Sequence, residues 1–156
     1  MHTPAKLNLF FELLRKREDG YHEIESLMVP ISLYDTLVLE HDRDSSEPLH
    51  LECRAFVPNR RADELIPNDE RNLVWRAVEA VRRVRELPLG LRITLFKRIP
   101  SQAGLGGGSS DAAAMLLLLD RAFELRLKMA ELWELASNLG SDVPFFLAPS
   151  PQIAKN

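Results

Sequence analysis

The feature that most constrains this 156-residue chain is the stretch Ala103–Ala114, which reads AGLGGGSSDAAA and contains four glycines. Glycine loses more backbone entropy on folding than any other residue, so such a cluster predicts a backbone with positive φ or a close approach to another group. A helical pattern begins directly after the cluster, and free N–H groups at a helix N-terminus can bind an anion. A flexible Gly/Ser linker is the alternative, but linkers seldom join a strand pattern to a buried-looking helix.

Composition excludes several other classes of function. With 46% hydrophobic and 28% charged residues, the chain is ordinary for one globular domain, and its net charge of −3 gives no basic face for nucleic acid or an anionic membrane. The single cysteine, Cys53, can form no internal disulfide. The N-terminal residues lack a signal-peptide pattern. We therefore expect a cytoplasmic-type protein that binds neither nucleic acid nor membrane.

Three common phosphate-binding loops do not match this stretch. A P-loop needs Gly-Lys-Ser/Thr, but no lysine follows Gly108. The dinucleotide fingerprint would need a third glycine at the position of Ser109. The protein-kinase glycine loop joins two strands and is accompanied by HRD and DFG motifs, which this sequence lacks. The remaining possibility is a loop that binds phosphate through backbone amides and the helix dipole, with Ser109 and Ser110 free to contact phosphate or magnesium.

Periodicity predicts strands on both sides of a first helix and further helices after the loop. Strand patterns cover Ala5–Leu13, Ile24–Ile31, Thr36–Glu40, Leu49–Val57 and Leu91–Leu95, and helical patterns cover Asn72–Arg85, Ser109–Leu125 and Met129–Leu139, the last with Gly140 as a C′ glycine. Lys6 and Asn8 share one face of the first strand and can reach a single cleft; a solvated outer face is the alternative. Cys53 is interpreted as a core residue rather than a nucleophile.

Five motifs, in this order, resemble the N-terminal half of a GHMP-type small-molecule kinase. They are Pro4–Leu9, Asp19–His22, Lys97–Pro100, Ala103–Ala114 and Leu139–Pro144. The glycine loop alone indicates the superfamily. The Tyr-His pair and the Gly-Ser-Asp-Val-Pro string are most similar to the branch that phosphorylates 4-diphosphocytidyl-2-C-methyl-D-erythritol. Homoserine and mevalonate kinases are the nearest enzymatic alternatives, and the Tyr-His pair argues against them.

The resemblance implies an α+β fold of the ribosomal protein S5 domain 2-like type. This fold has a mostly antiparallel sheet, packed helices and a left-handed βαβ crossover. The implied domain covers residues 1–147, residues 148–156 are expected to form an irregular tail, and the family's C-terminal domain is expected to be absent from this chain. The implied activity is transfer of the ATP γ-phosphate to the substrate's 2-hydroxyl, in non-mevalonate isoprenoid biosynthesis. A catalytically incomplete nucleotide-binding fragment is the alternative.

The resemblance also implies roles for individual residues. Asp142 corresponds to the catalytic aspartate that orients or deprotonates the acceptor hydroxyl, although its sequence context also suits a turn or N-cap residue. Lys6 corresponds to the lysine that supports the aspartate and stabilises charge on the γ-phosphoryl group, and Asn8 lines the same cleft. Tyr21 and His22 correspond to the pair that stacks on and hydrogen-bonds cytosine; a packed loop anchor is the alternative.

The implied co-substrate is ATP, with Mg²⁺ as the metal ion. The implied ATP-binding stretch comprises Pro100, Ser101, Gln102, Ala103, Gly104, Leu105, Gly106, Gly107, Gly108, Ser109 and Ser110. Ser110 occupies the position nearest magnesium in the wider superfamily. Lys97 and Asn72 are placed near the adenine by position only, and Lys97 and Arg98 would add positive charge beside the phosphates.

Overall fold

The computed structural model describes residues 1–16, 22–56, 66–147 and 152–155 of the chain. Its strands are β1 (His2–Lys16), β2 (His22–His41), β3 (Leu49–Ala55), β4 (Leu91–Lys97) and β5 (Gln152–Lys155). Its α-helices are α1 (Leu73–Arg82), α2 (Gly107–Ala122) and α3 (Met129–Leu139), and a short 3₁₀-helix follows at Pro144–Leu147.

The strands form one mixed sheet in the order β1-β2-β4-β3, and β5 also pairs with β2. All neighbours are antiparallel except β3 and β4, which run parallel because α1 connects them as a crossover. The predicted α+β fold with a mostly antiparallel sheet is confirmed. The hand of the crossover stays a prediction.

Strand β2 corrects the prediction of two separate strands. Its pairing with β1 jumps from Tyr34 opposite Pro4 to Ile31 opposite Ala5, so an irregularity lies between Ile31 and Tyr34. Pro30 lies between the part of β2 that pairs with β5 and the part that pairs with β4. Pro30 therefore lies beside a bulge within one long strand.

The core lies between one face of the sheet and the helices. Its most completely buried large side chains come from β2, β4, α1 and α2 and from the segment before the 3₁₀-helix: Leu37, Leu91, Ile93, Leu95, Val74, Val78, Val81, Met115, Leu116, Leu119 and Val143. Helix α2 is apolar on most sides because it contacts α1, α3, β1 and β2. It is the central element of the fold, and its N-terminus is the end that the glycine loop enters.

The apolar face predicted for β1 is unevenly buried over Ala5, Leu7 and Leu9. Ala5 is fully buried, whereas Leu7 is 42% and Leu9 is 63% exposed. The register with β2 shifts between Asn8 and Phe10, which leaves Leu9 at a bulge. The alternation of apolar residues alone could not reveal this exposure, because exposure depends on which other elements cover the strand.

Two predictions near the end of the chain also need correction. The predicted irregular tail contains β5, which pairs antiparallel with Glu25–Met28 of β2. Gly140 follows α3 with φ of 171°, an extended conformation rather than the left-handed one typical of a C′ glycine. Among the described helices, none is long and apolar enough to cross a membrane.

Candidate active site

The glycine loop enters α2 earlier than the sequence predicted. Helix α2 begins at Gly107 rather than Ser109, and Gly106 is its N-cap with φ of 69°. A Cβ atom on Gly107 would lie 2.9 Å from Ile99 Cγ2 and 3.1 Å from Lys97 Nζ. The first turn of α2 therefore lies directly on the end of β4, an approach that a larger residue would prevent.

A pocket of about 310 Å³ opens along this loop. Its lining includes every residue of the predicted ATP-binding stretch from Pro100 to Ser109, together with Lys97 and Asn72. The lining also includes Ile66, Pro67, Arg71 and Leu73, which the sequence patterns did not single out. Nothing in the sequence indicated that these residues would lie near the glycine loop.

The structure brings Lys6, Asn8 and Asp142 together at the other side of the loop. The Lys6 ammonium donates a hydrogen bond to Asn8 Oδ1 at 2.9 Å and lies 3.4 Å from Asp142 Oδ2. The Lys6 side chain is 6% exposed, whereas that of Asp142 is 38% exposed. This pair combines a shielded cation with a carboxylate that a ligand can reach.

Lys6 is also attached to the glycine loop itself. Its backbone N–H donates to the Leu105 carbonyl at 2.9 Å. A Cβ atom on Gly106 would lie 2.9 Å from Lys6 Cγ and 3.0 Å from Phe146 Cζ. The loop therefore packs against the Lys6 stem and Phe146.

Residues 72–149 match the family model described as the GHMP kinases N terminal domain. The chain belongs to the GHMP kinase family. It is 44% identical over 144 residues to 4-diphosphocytidyl-2-C-methyl-D-erythritol kinase of Macrococcus caseolyticus, covering 92% of this chain and 47% of that protein. The resemblance inferred from the five motifs is confirmed.

Two solved structures are also similar to this GHMP kinase chain. A crystal structure of 4-(cytidine 5'-diphospho)-2C-methyl-D-erythritol kinase matches all of this chain and 52% of the other, with a TM-score of 0.78 and 41% identity. A mevalonate kinase matches 88% of this chain and 45% of the other, with a TM-score of 0.61 and 17% identity, and supports the fold alone. The chain spans about half the length of the curated relatives it matches.

Ser110 of this GHMP kinase chain has an unusual environment. Its side chain is nearly fully buried, and its Oγ atom has no hydrogen-bond partner among the described residues. Ser110 lies one helical turn after Gly106 and therefore on the side of α2 that faces Lys6. A buried hydroxyl without a partner is costly, and a ligand oxygen or a cation would satisfy it.

Lys97 does not offer a free positive charge to the pocket. Its ammonium is paired with Asp35 and with Asp111 Oδ2, the latter at 2.8 Å. Burial lowers the Lys97 pKa, but the two carboxylates outweigh it and raise the pKa above its usual value. Burial, joined by the charge of Asp35, raises the pKa of Asp111 to about 6 although Lys97 opposes this. Two carboxylates thus offset the charge that Lys97 was expected to supply.

The other residues predicted to surround the nucleotide have local structural roles. Asn72 is the N-cap of α1: its Oδ1 accepts from the Val74 N–H at 2.9 Å, and its Nδ2 donates to the Pro67 carbonyl at 2.6 Å. Arg98 donates to Thr36 Oγ1 at 3.1 Å, and its guanidinium lies over the Phe56 ring. Contact of Asn72 with adenine stays a prediction.

The predicted cytosine-binding pair lies at the edge of the described structure. Tyr21 lies outside the described residues. His22 is the first residue of β2, and its backbone is paired with Lys16 of β1. The role of both residues stays a prediction.

Cys53 is half-buried on β3, with its Sγ atom near the Asn72 amide and the Pro67 carbonyl. Burial, joined by the charge of Asp111, raises its pKa to about 11. A thiol with such a pKa holds little thiolate at neutral pH. This environment supports the interpretation of Cys53 as a packing residue.

Proposed function

We propose that this chain provides the nucleotide site and the catalytic pair of a kinase that transfers the ATP γ-phosphate to the 2-hydroxyl of 4-diphosphocytidyl-2-C-methyl-D-erythritol. The observation that carries this proposal is the position of the Lys6–Asp142 pair beside the glycine loop. Lys6 touches the loop through both its backbone and its side-chain stem. A phosphate held by the loop amides is thereby placed close to the pair.

In this mechanism, the loop and the N-terminus of α2 hold the triphosphate through backbone N–H groups and the helix dipole. The carboxylate of Asp142 orients the acceptor hydroxyl and receives its proton as the new O–P bond forms and the bond to the ADP oxygen breaks. Lys6 holds Asp142 in place and neutralises charge on the transferred group. Phosphoryl transfer depends mainly on positioning and charge neutralisation, which these residues supply.

Magnesium fits one side of this site. The buried, unpartnered Ser110 hydroxyl supplies a hard oxygen atom, and magnesium typically takes one or two protein ligands together with phosphates and waters. In the proposed enzyme, Ser110 would help to hold the ion, and Mg²⁺ would neutralise phosphate charge. Among the described residues, no cluster of three or more His, Cys, Asp or Glu side chains forms a metal site without the nucleotide.

The choice of acceptor rests on similarity and on two residues. Relatives at 41–44% identity are 4-diphosphocytidyl-2-C-methyl-D-erythritol kinases, whereas the likeness to mevalonate kinase at 17% identity concerns the fold. In the proposed enzyme, Tyr21 stacks on the cytosine ring and His22 hydrogen-bonds the base. Asn8 lines the acceptor side of the cleft. We place the activity in the cytoplasm, where ATP and the small-molecule acceptor are available.

A phosphorylation assay tests this function. Purified chain is incubated with ATP, Mg²⁺ and 4-diphosphocytidyl-2-C-methyl-D-erythritol, and the phosphorylated product is measured by mass spectrometry. Asp142→Asn keeps the size of the side chain but removes its basicity, so turnover is expected to fall by about 10³-fold while ATP binding persists. Turnover of this variant within tenfold of the unmodified chain would contradict the catalytic role of Asp142.

Nucleotide binding without transfer is the second candidate, because apolar side chains next to a residue of the proposed acceptor side are exposed. Next to Asn8, the side chains of Leu7 and Leu9 are exposed. Calorimetry with ATP and with CDP separates the two candidates. ATP binding by a folded chain that yields no product, at any concentration of chain, would favour the nucleotide-binding module.

A further inference from the structure

Three buried ionic side chains lie beneath the glycine loop: Asp35 of β2, Lys97 of β4 and Asp111 of α2. We call this set the clasp. The Lys97 ammonium joins the two carboxylates, and Asp111 also accepts a hydrogen bond from Thr3 Oγ1 of β1 at 2.7 Å. The clasp therefore connects four elements that are far apart in sequence.

The clasp holds both ends of the segment that contains the loop. At the entry, Asp35 Oδ1 accepts hydrogen bonds from the backbone N–H groups of Arg98 and Ile99, the latter at 2.8 Å. At the exit, Asp111 lies in the first turns of α2. Between them, the Gly107 backbone lies so close to Lys97 Nζ that a Cβ atom would be 3.1 Å away. Movement of the clasp would displace the loop.

Burying three charges is an expensive way to stabilise a fold. The side chains of Asp35, Lys97 and Asp111 are all at most 5% exposed. Apolar residues of similar volume commonly stabilise a protein as well as a buried ion pair, or better, whereas in some proteins buried ionic groups fix a specific arrangement. The clasp is thus better suited to setting the position of the loop than to adding stability.

We propose that Lys97 is a positioning residue: together with Asp35 and Asp111 it fixes the glycine loop and the first turn of α2 in the conformation that receives the nucleotide phosphates. This inference rests on the proposed nucleotide site. It assigns Lys97 a role different from direct contact with adenine. Both acidic partners of its ammonium belong to the protein and lie beneath the loop.

Hydrogen–deuterium exchange of the nucleotide-free chain tests the inference directly. Lys97→Met keeps most of the side-chain volume but leaves two buried carboxylates without their cation, so the amides of residues 98–111 are expected to exchange at least about tenfold faster, equivalent to a loss of at least about 1.4 kcal/mol of local protection. The dissociation constant for ATP, measured by calorimetry, is expected to rise by about tenfold.

Leu119→Ala is the matched control for general destabilisation. Leu119 is fully buried on the same helix, about 18 Å along the axis from Gly107. Its truncation costs about 2–5 kcal/mol of global stability. It is expected to leave ATP affinity within about twofold and to show no selective acceleration in residues 98–111.

Thr3→Val is a milder variant that covers the case in which Lys97→Met does not fold. It preserves side-chain shape and removes only the hydrogen bond to Asp111, so exchange is expected to accelerate about threefold around Asp111. Unchanged exchange there would contradict the clasp. Both exchange measurements test the clasp even if the unmodified chain binds no ATP. Failure of the unmodified chain to bind ATP would count against the proposed function and not against the clasp.

Two outcomes with Lys97→Met would overturn the inference. Weaker ATP binding with unchanged exchange in residues 98–111 would mean that Lys97 contacts the nucleotide directly. Equal acceleration in Lys97→Met and Leu119→Ala would mean that the clasp contributes stability and nothing specific to the loop.

Discussion

Two buried lysines contact adjacent glycines of the same loop, yet their surroundings differ. Lys6 lies against Gly106 and is paired with Asp142, whose side chain is 38% exposed. Lys97 lies against Gly107 and is paired with two carboxylates that are almost completely buried. Because a ligand can reach the carboxylate of Asp142, Lys6 is suited to a catalytic role. Because both carboxylates that pair with Lys97 are buried, Lys97 is suited to holding the loop in place. A positive charge beside the glycine loop is therefore not sufficient to identify a catalytic residue.

The largest expected effect comes from Lys6→Met. Methionine keeps the apolar stem against Gly106 but removes the charge beside Asp142, so turnover is expected to fall by about 10²- to 10³-fold. ATP affinity is expected to change by less than about threefold, because the loop amides remain in place. Steady-state kinetics and calorimetry measure the two quantities. A large loss of ATP affinity without loss of turnover would assign Lys6 to binding rather than catalysis.

The next largest effect is expected at Gly106, with Gly104 as its control. Both have positive φ, 69° and 72°, so alanine at either position costs about 1–2 kcal/mol of backbone strain. Only Gly106 is also packed against Lys6 and Phe146, since the space around Gly104 is open. The turnover of Gly106→Ala is therefore expected to be about tenfold lower than that of Gly104→Ala. Equal losses would mean that the packing of Lys6 on the loop is unimportant.

A smaller, opposite pair of effects is expected at Gly107 and Gly108. Both lie in the first turn of α2, but the atom nearest to a Cβ on Gly108 is Leu73 Cδ1 at 3.7 Å, an ordinary contact. Gly108→Ala should raise the free energy of unfolding by up to about 1 kcal/mol through helix propensity. Gly107→Ala should lower it by about 1 kcal/mol because Ile99 and Lys97 must move. Urea denaturation measures both, and stabilisation by Gly107→Ala would contradict the close approach to the clasp.

Part of the arrangement of the candidate site could be predicted from short motifs, because local chemistry determines them. The alternation of β1 placed Lys6 and Asn8 on one face, where their side chains form a hydrogen bond. The glycine cluster predicted an anion-binding loop, and anion binding stays a prediction. Family resemblance selected Asp142, and the fold places it next to Lys6. The linker interpretation fails because the loop joins directly to α2 and packs on β1 and β4.

The clasp could not be predicted, because its members become neighbours only through the sheet order and the position of α2. Asp35 lies just before the predicted strand Thr36–Glu40 and Asp111 lies within the glycine stretch, but no sequence pattern indicated that they would meet. Lys97 was interpreted as a charge for phosphate because nothing in its own motif revealed two buried partners. Long-range pairing also explains why β2 was predicted as two strands, since its continuity depends on β1, β4 and β5.

The division of roles between the two lysines is tested most directly by titrating ATP into Lys6→Met and Lys97→Met side by side, with exchange of residues 98–111 followed in the nucleotide-free samples. The account predicts affinity and loop exchange close to those of the unmodified chain for Lys6→Met, and about tenfold changes in both for Lys97→Met. The same loss of affinity in both variants, with unchanged loop exchange in both, would contradict it.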